Sequence, residues 1–217
     1  MGAIKFPHTS GNSMSIAAPA TNPASDLELK LPATIGTASQ VLRNSSTPGT
    51  LEFAAAGKVL QVVSASKTDT ASASVATTAF WDTGFTITIT PTAASSKILL
   101  LGMLSASTDD DQALDTQIRR KIGSAAVALL AGANADAASN RPQFHTMGIH
   151  HKTTWVGNIH INYLDSPNTT DAVIYSFRLH HGSGSTRTMY LNRHHSDQDN
   201  AERGRYTSHL TAMEVGA

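Results

Sequence analysis

The sequence predicts an all-β protein: an antiparallel β-sandwich, jelly-roll-like, over residues 57–217, preceded by an extended N-terminal arm with short strands over residues 1–56. Three observations support this. Apolar and polar residues alternate strictly in runs of strand length, as in Phe85, Ile87 and Ile89 against Thr86, Thr88 and Thr90, the period-2 pattern of a half-buried strand. Turn clusters such as 165–170 and 182–185 separate these runs without room for helical crossovers, which selects antiparallel connections. The arm is punctuated by Pro7, Pro19, Pro23, Pro32 and Pro48, leaving segments too short to close a core of their own.

In the arm, Leu27, Leu29 and Leu31 alternate with polar residues until Pro32 ends the run, which predicts a strand. Gln40 to Leu42 and Leu51 to Phe53 predict two more, on either side of the turn-forming stretch Asn44 to Gly49. In the sandwich, Lys58 to Val63 reads as the first strand and the Phe85–Ile89 alternation, closed by Pro91, as another. Ile98 to Leu104 is apolar at both parities, which predicts a central strand covered on both faces. Residues 113–122 fit a strand, with a helix as the alternative, and the Ala-rich stretch 125–138 favours helix by composition while Gly132 and Asn134 interrupt it. Trp155, Gly157, Ile159, Ile161 and Tyr163 share one face of the next strand, a placement that puts Trp155 in the core. Val173, Tyr175, Phe177 and Leu179 do the same in a further strand, and Arg187 to Arg193 and Ser208 to Val215 complete the set.

Composition narrows the function. The 217 residues carry 16 Lys+Arg against 16 Asp+Glu, so there is no electrostatic case for nucleic acid or an anionic membrane. With no cysteine, disulfides, Cys-ligated metals and thiol catalysis are excluded. Met1 to Asn12 holds no apolar run of signal-peptide length and no window approaches a membrane span, so a protein made in a cytoplasm or assembled into a particle there is expected. Ala, Ser and Thr fill more than a third of the chain. A core thin in large apolar side chains gains from burial against further copies.

The order of short motifs resembles phage virion proteins, cyanophage-like tail-fibre and appendage proteins in particular. In the arm these are Ser15 to Pro19, Asp26 to Pro32, Ile35-Gly36-Thr37, Gln40-Val41-Leu42 and Thr47 to Phe53. In the sandwich they are Gly57 to Val63, Lys67 to Thr70, Ile89-Thr90-Pro91, Ser95 to Leu99, Leu164 to Pro167, Tyr190 to Arg193 and Leu210 to Val215. The resemblance implies a non-enzymatic homotrimeric virion component, attached to other virion proteins through the arm, with the β domain outward toward a host surface glycan. It carries no catalytic residues and no cofactor. The histidine pairs His150-His151, His180-His181 and His194-His195 depart from the pattern.

Nine of the ten histidines lie between His145 and His209, and His160 and His180 occupy polar strand faces where a threefold axis could gather three imidazoles around a metal. Polar-face histidines packed between subunits are the simpler reading. Trp81 and Asp82, before the turn at Thr83-Gly84, are the candidates for stacking on a sugar ring and bonding its hydroxyls. Asp109, Asp110, Asp111, Asp165, Asp171, Asp197 and Asp199 lie at strand ends and keep open a glycan-cleaving pair of acids. A capsid decoration protein without host contact shares every feature of the appendage reading.

Overall fold

The computed structural model describes residues 3–7, 13–17, 20, 21, 23, 27–37, 40–55, 58–148 and 155–216, so Ser15 to Pro19 in part and His150-His151 fall outside them. The chain divides into two units, Met1–Ala56 and Gly57–Ala217.

The first unit contains two hairpins. β1 (Ala3–Pro7) pairs with β2 (Ser13–Ala17), a hairpin the sequence reading did not foresee, and β3 (Gln40–Asn44) pairs with β4 (Leu51–Ala55). The run Leu27 to Leu31 forms no ladder of its own, contrary to expectation. It lies extended beside the β3–β4 turn through one parallel bridge, Lys30 opposite Thr50, because Gly49 takes a positive φ of 78° and lets the turn approach so closely that a Cβ there would lie 2.8 Å from the Glu28 carbonyl. Thr37 donates its backbone N–H to Gln40 Oε1 at 2.8 Å, and the Phe53 ring covers Gly36.

The second unit is a sandwich of two antiparallel sheets. Its strands are β5 (Val59–Lys67), β6 (Ala71–Val75), β7 (Trp81–Ile89), β8 (Lys97–Thr108), β9 (Leu114–Ile122), β10 (Ala128–Leu129), β11 (Thr146–Gly148), β12 (Gly157–Asp165), β13 (Val173–His181), β14 (Arg187–Leu191) and β15 (Ser208–Val215). The first sheet runs β5-β15-β8-β12 and the second β7-β13-β9-β11, with β10 also on β9. Taken along the chain, β5, β7, β8, β9, β11, β12, β13 and β15 alternate between sheets except at β9 and β11, which pair within one sheet, the order of the eight strands of a jelly roll. The pair β6–β14 prolongs β5 and β15: β14 lies on the same edge of β8 as β15, opposite Ala106 to Thr108. Residues 113–122 are strand, and the Ala-rich stretch supplies only β10 and a single 3-10 turn, Ala131–Ala133, since Gly132 packs under the Tyr163 hydroxyl and Asn134 is held by Ile118 and Leu130 carbonyls at 2.9 and 2.7 Å.

The core lies between the sheets. Ile98, Leu100, Leu104, Ile159, Ile161, Leu210 and Ala212 come from the first sheet, and Phe85, Ile87, Ile89, Ile118, Val173, Tyr175, Phe177 and Leu179 from the second. Each large side chain sequestered there contributes about 1.5–3 kcal/mol. Gly102 sits mid-sheet, where a Cβ would meet the His209 carbonyl oxygen and stand 3.0 Å from Leu210 Cα. On β7, Gly84 at φ 69° forms a bulge opposite Phe177, and Thr83 Oγ1 closes it by donating to the Phe177 carbonyl at 2.9 Å.

Two expectations are corrected. Only the inward face of β8 is fully covered: Leu99, Leu101 and Met103 on its outer face are half-buried. Trp155 precedes β12 rather than starting it and is 66% exposed.

Candidate functional site

The two outer faces of the sandwich differ in chemistry, and they are where the candidate residues fall. On the second sheet, Asp82 of β7 faces Arg178 of β13, which donates from Nε to Oδ1 at 2.8 Å and from its terminal nitrogen to Oδ2 at 3.1 Å. Arg119 of β9 reaches the same carboxylate at 3.2 Å and the Val127 carbonyl at 3.0 Å. The Arg178 hydrogen bond, aided by both guanidinium charges, holds the Asp82 carboxyl below its usual range despite partial burial. Asp82 thus ties three strands together, and its neighbour Trp81 packs against the core. Neither presents the free aromatic and polar pair that the sequence suggested for a sugar.

His180 lies on the outer face of β13 but is buried, because Phe80 and Phe144 close over it at centroid distances of 5.1 and 5.0 Å. Its Nδ1 lies 3.3 Å from Asp115 Oδ2, and Arg178 stacks on Phe80 at 5.8 Å. His160 lies on the other sheet's outer face, opposite Met103, which has His209 on its far side. His209 Nδ1 pairs with Ser66 Oγ at 3.0 Å. Among the described residues, no three His, Asp or Glu side chains are grouped as a metal site.

The carboxylates at strand ends are structural partners. Asp165, buried at the end of β12, receives Arg120 on both oxygens at 2.8 Å and the Tyr175 hydroxyl at 2.7 Å. Burial, then the adjacent Asp165 charge, push the Tyr175 hydroxyl well above its ordinary pKa. Asp109 accepts the Thr188 N–H at 3.1 Å, Asp110 pairs with Arg187 at 2.8 Å and Asp197 with Arg205 at 2.7 Å.

One end of the first sheet's outer face is apolar, while the other end carries Ser64, Ser66, Thr211, His209, Asn162 and His160 around Leu101 and Met103. Val62, Met213, Leu99 and Leu164 form one row across four strands, and Leu101 and Met103 continue it along β8. Val59, Leu60, Val62 and Leu164 are exposed. The two-sided apolarity of Ile98 to Leu104 is the sequence signal for this row.

The chain is therefore a jelly-roll sandwich with an N-terminal arm, one sheet outwardly ion-paired and the other bearing an apolar row on its outer face. No family model matches the sequence, and no curated relative does. Similar solved structures include that of infectious bursal disease virus Gt strain, with 15% identity, TM-score 0.40 and coverage of 95% of this chain and 48% of that one. The infectious bursal disease virus VP2 subviral particle gives 12% identity and TM-score 0.38, covering 82% of this chain and 46% of that one. The Gx strain gives 9% identity and TM-score 0.33, over 81% and 46%. The chain spans about half the length of each.

Proposed function

We propose that this chain is a non-enzymatic phage virion structural protein, a homotrimeric fibre or head/tail appendage held to the particle by residues 1–56 and carrying the sandwich outward toward the host. The observation that carries the reading is the apolar row Val62, Met213, Leu99 and Leu164 on the outer face of the first sheet. A contiguous patch of this kind on a thin-cored domain marks a surface meant for burial, and closed cyclic assembly of identical copies is the ordinary way to bury it. The order of motifs along the chain supports three copies and a virion setting. The ion-paired second sheet is left as the solvent-facing side.

Electron microscopy of purified phage particles labelled with antibody to the chain tests this. Label at regularly spaced appendages is expected. Absence from particles overturns the reading, as does release of oligosaccharides from host polysaccharide by the purified protein that is lost on replacing a single Asp by Asn. Label spread evenly over the shell would overturn the appendage reading in favour of a decoration protein.

A further inference from the structure

The segment Leu27 to Leu31 carries a single bridge, at Lys30, and leaves its other edge without backbone partners among the described residues. Lys30 spends both its backbone groups on the neighbouring turn: its N–H donates to the Gly49 carbonyl at 2.8 Å and its carbonyl accepts from Leu51 N–H at 2.8 Å. In an extended chain the flanking residues Leu29 and Leu31 then direct their N–H and C=O groups to the opposite side, where no backbone partner is present among the described residues. Leu27, Leu29 and Leu31 are 76%, 62% and 73% exposed. An open edge of this kind, with an uncovered leucine row, is a template for another strand.

The sequence of the segment says which strand. Leu27-Glu28-Leu29-Lys30-Leu31 is complementary to itself in reverse, about Leu29. We infer that this segment pairs antiparallel with the same segment of a second copy across a twofold axis through Leu29. In that register Leu29 faces its own equivalent and Leu27 faces Leu31, and these are the hydrogen-bonded positions of the ladder, which coincide with the residues whose backbone groups point to the free edge. Glu28 of one copy then faces Lys30 of the other at the closer, non-hydrogen-bonded positions. Both side chains are exposed and already meet within one chain at 3.5 Å. Opposite charges are juxtaposed twice, and all leucines fall on one face. A parallel, in-register arrangement of the same segments around a threefold axis instead places Glu28 against Glu28 and Lys30 against Lys30. The inference goes beyond the virion reading, since it holds for any assembly in which the arm is free to meet another arm.

The absence of native cysteine makes the test direct. Leu29 faces its equivalent at a Cα separation of about 5.5 Å, inside the range a disulfide spans. Full-length Leu29→Cys is expected to form covalent dimers under mild oxidation. Leu27→Cys alone should not, because its own equivalent lies about 13 Å further along the strand, but a mixture of Leu27→Cys and Leu31→Cys should crosslink. Equal self-crosslinking at all three positions overturns the inference in favour of parallel arms, and no crosslinking at any of them overturns it outright. In sedimentation, Lys30→Glu should reduce the mass of the full chain at least twofold, whatever number of copies the sandwich itself brings together, and Glu28→Lys combined with Lys30→Glu should restore it. A Lys30→Glu chain of unchanged mass counts against the pairing while leaving the virion location intact.

Discussion

The hydroxyl of Ser208 donates to Asn192 Oδ1 at 2.7 Å, and both residues are completely buried. They stand sixteen residues apart in the chain yet close the base of one loop: β14 ends just before Asn192, β15 begins at Ser208, and the two strands are nearly one line on the edge of β8. Asn192 sits at φ 60°, donates from Nδ2 to the Lys67 and Asp69 carbonyls at 2.7 and 3.0 Å and from its backbone N–H to Ser105 at 2.7 Å. The same side chain therefore also fixes the break between β5 and β6.

Asn192→Ala is expected to cost about 3 kcal/mol or more, from three lost side-chain hydrogen bonds and a left-handed backbone that Ala adopts poorly. Ser208→Ala, which orphans Asn192 Oδ1 and the Ser105 N–H that Ser208 Oγ accepts at 3.0 Å, should cost about 2 kcal/mol. Calorimetry of the full chain checks the order; a Ser208 variant less stable than the Asn192 variant refutes it.

Across the core, Asp165 of the first sheet holds Arg120 and Tyr175 of the second. Asp165→Ala leaves a partly buried guanidinium without its partner, and about 3–5 kcal/mol of destabilisation is expected. Tyr175→Phe removes one hydrogen bond to a charged group and should cost about 1.5–3 kcal/mol. Urea denaturation separates the two, and near-equal midpoints would mean that the ion pair contributes nothing beyond the hydroxyl.

Glu214 is buried on β15, where burial opposes its charge, but Thr92 donates its N–H and its hydroxyl to Oε1 at 2.7 Å each and Gln61 donates to Oε2 at 2.6 Å. The hydrogen bonds prevail and lower its pKa from 4.5 to about 2. A depressed folded-state value stabilises the fold above the unfolded pKa and loses that contribution as pH falls from about 4.5 toward 2. The loss is about 3 kcal/mol at most. Glu214→Gln should flatten this acid limb of the stability curve; a slope unchanged by the substitution would assign it to other carboxylates.

The apolar row on the first sheet gives a prediction about assembly. Val62→Asp with Leu164→Lys should lower the mass of the full chain in light scattering while its far-ultraviolet circular dichroism stays the same, since both side chains are exposed. Unchanged mass would exclude this face as the contact between copies.

Much of the sandwich was legible because its strands obey a strict period of two: Ile159, Ile161, Val173, Tyr175, Phe177 and Leu179 all point inward as their spacing requires. Motif words that resembled phage proteins prove to be locks at strand ends. Gln61 reaches Glu214 and the Thr90 carbonyl, Asp165 reaches the opposite sheet, and Asn192 closes the loop. What periodicity could not tell was cover. Alternation places Leu27, Leu29 and Leu31 on one side but is silent on whether anything lies over them, and the same holds for Leu99 and Leu101. Trp155 was misplaced for a related reason: whether a tryptophan at a strand end packs inward depends on where the ladder begins, and β12 starts two residues after Trp155. The face over His180 was invisible in sequence because Phe80 and Phe144 come from distant segments.

Because Asn192 and Ser208 join the loop at its root, and Tyr206 N–H returns to the Asn192 carbonyl at 3.0 Å, the exposed residues between them can be lengthened without disturbing the sheet. Doubling a flexible loop adds only about 0.6 kcal/mol of closure entropy. The stretch around Asp199 to Glu202 is accordingly a graft point, a place where foreign peptide can be carried on this scaffold and where natural length variation would accumulate first.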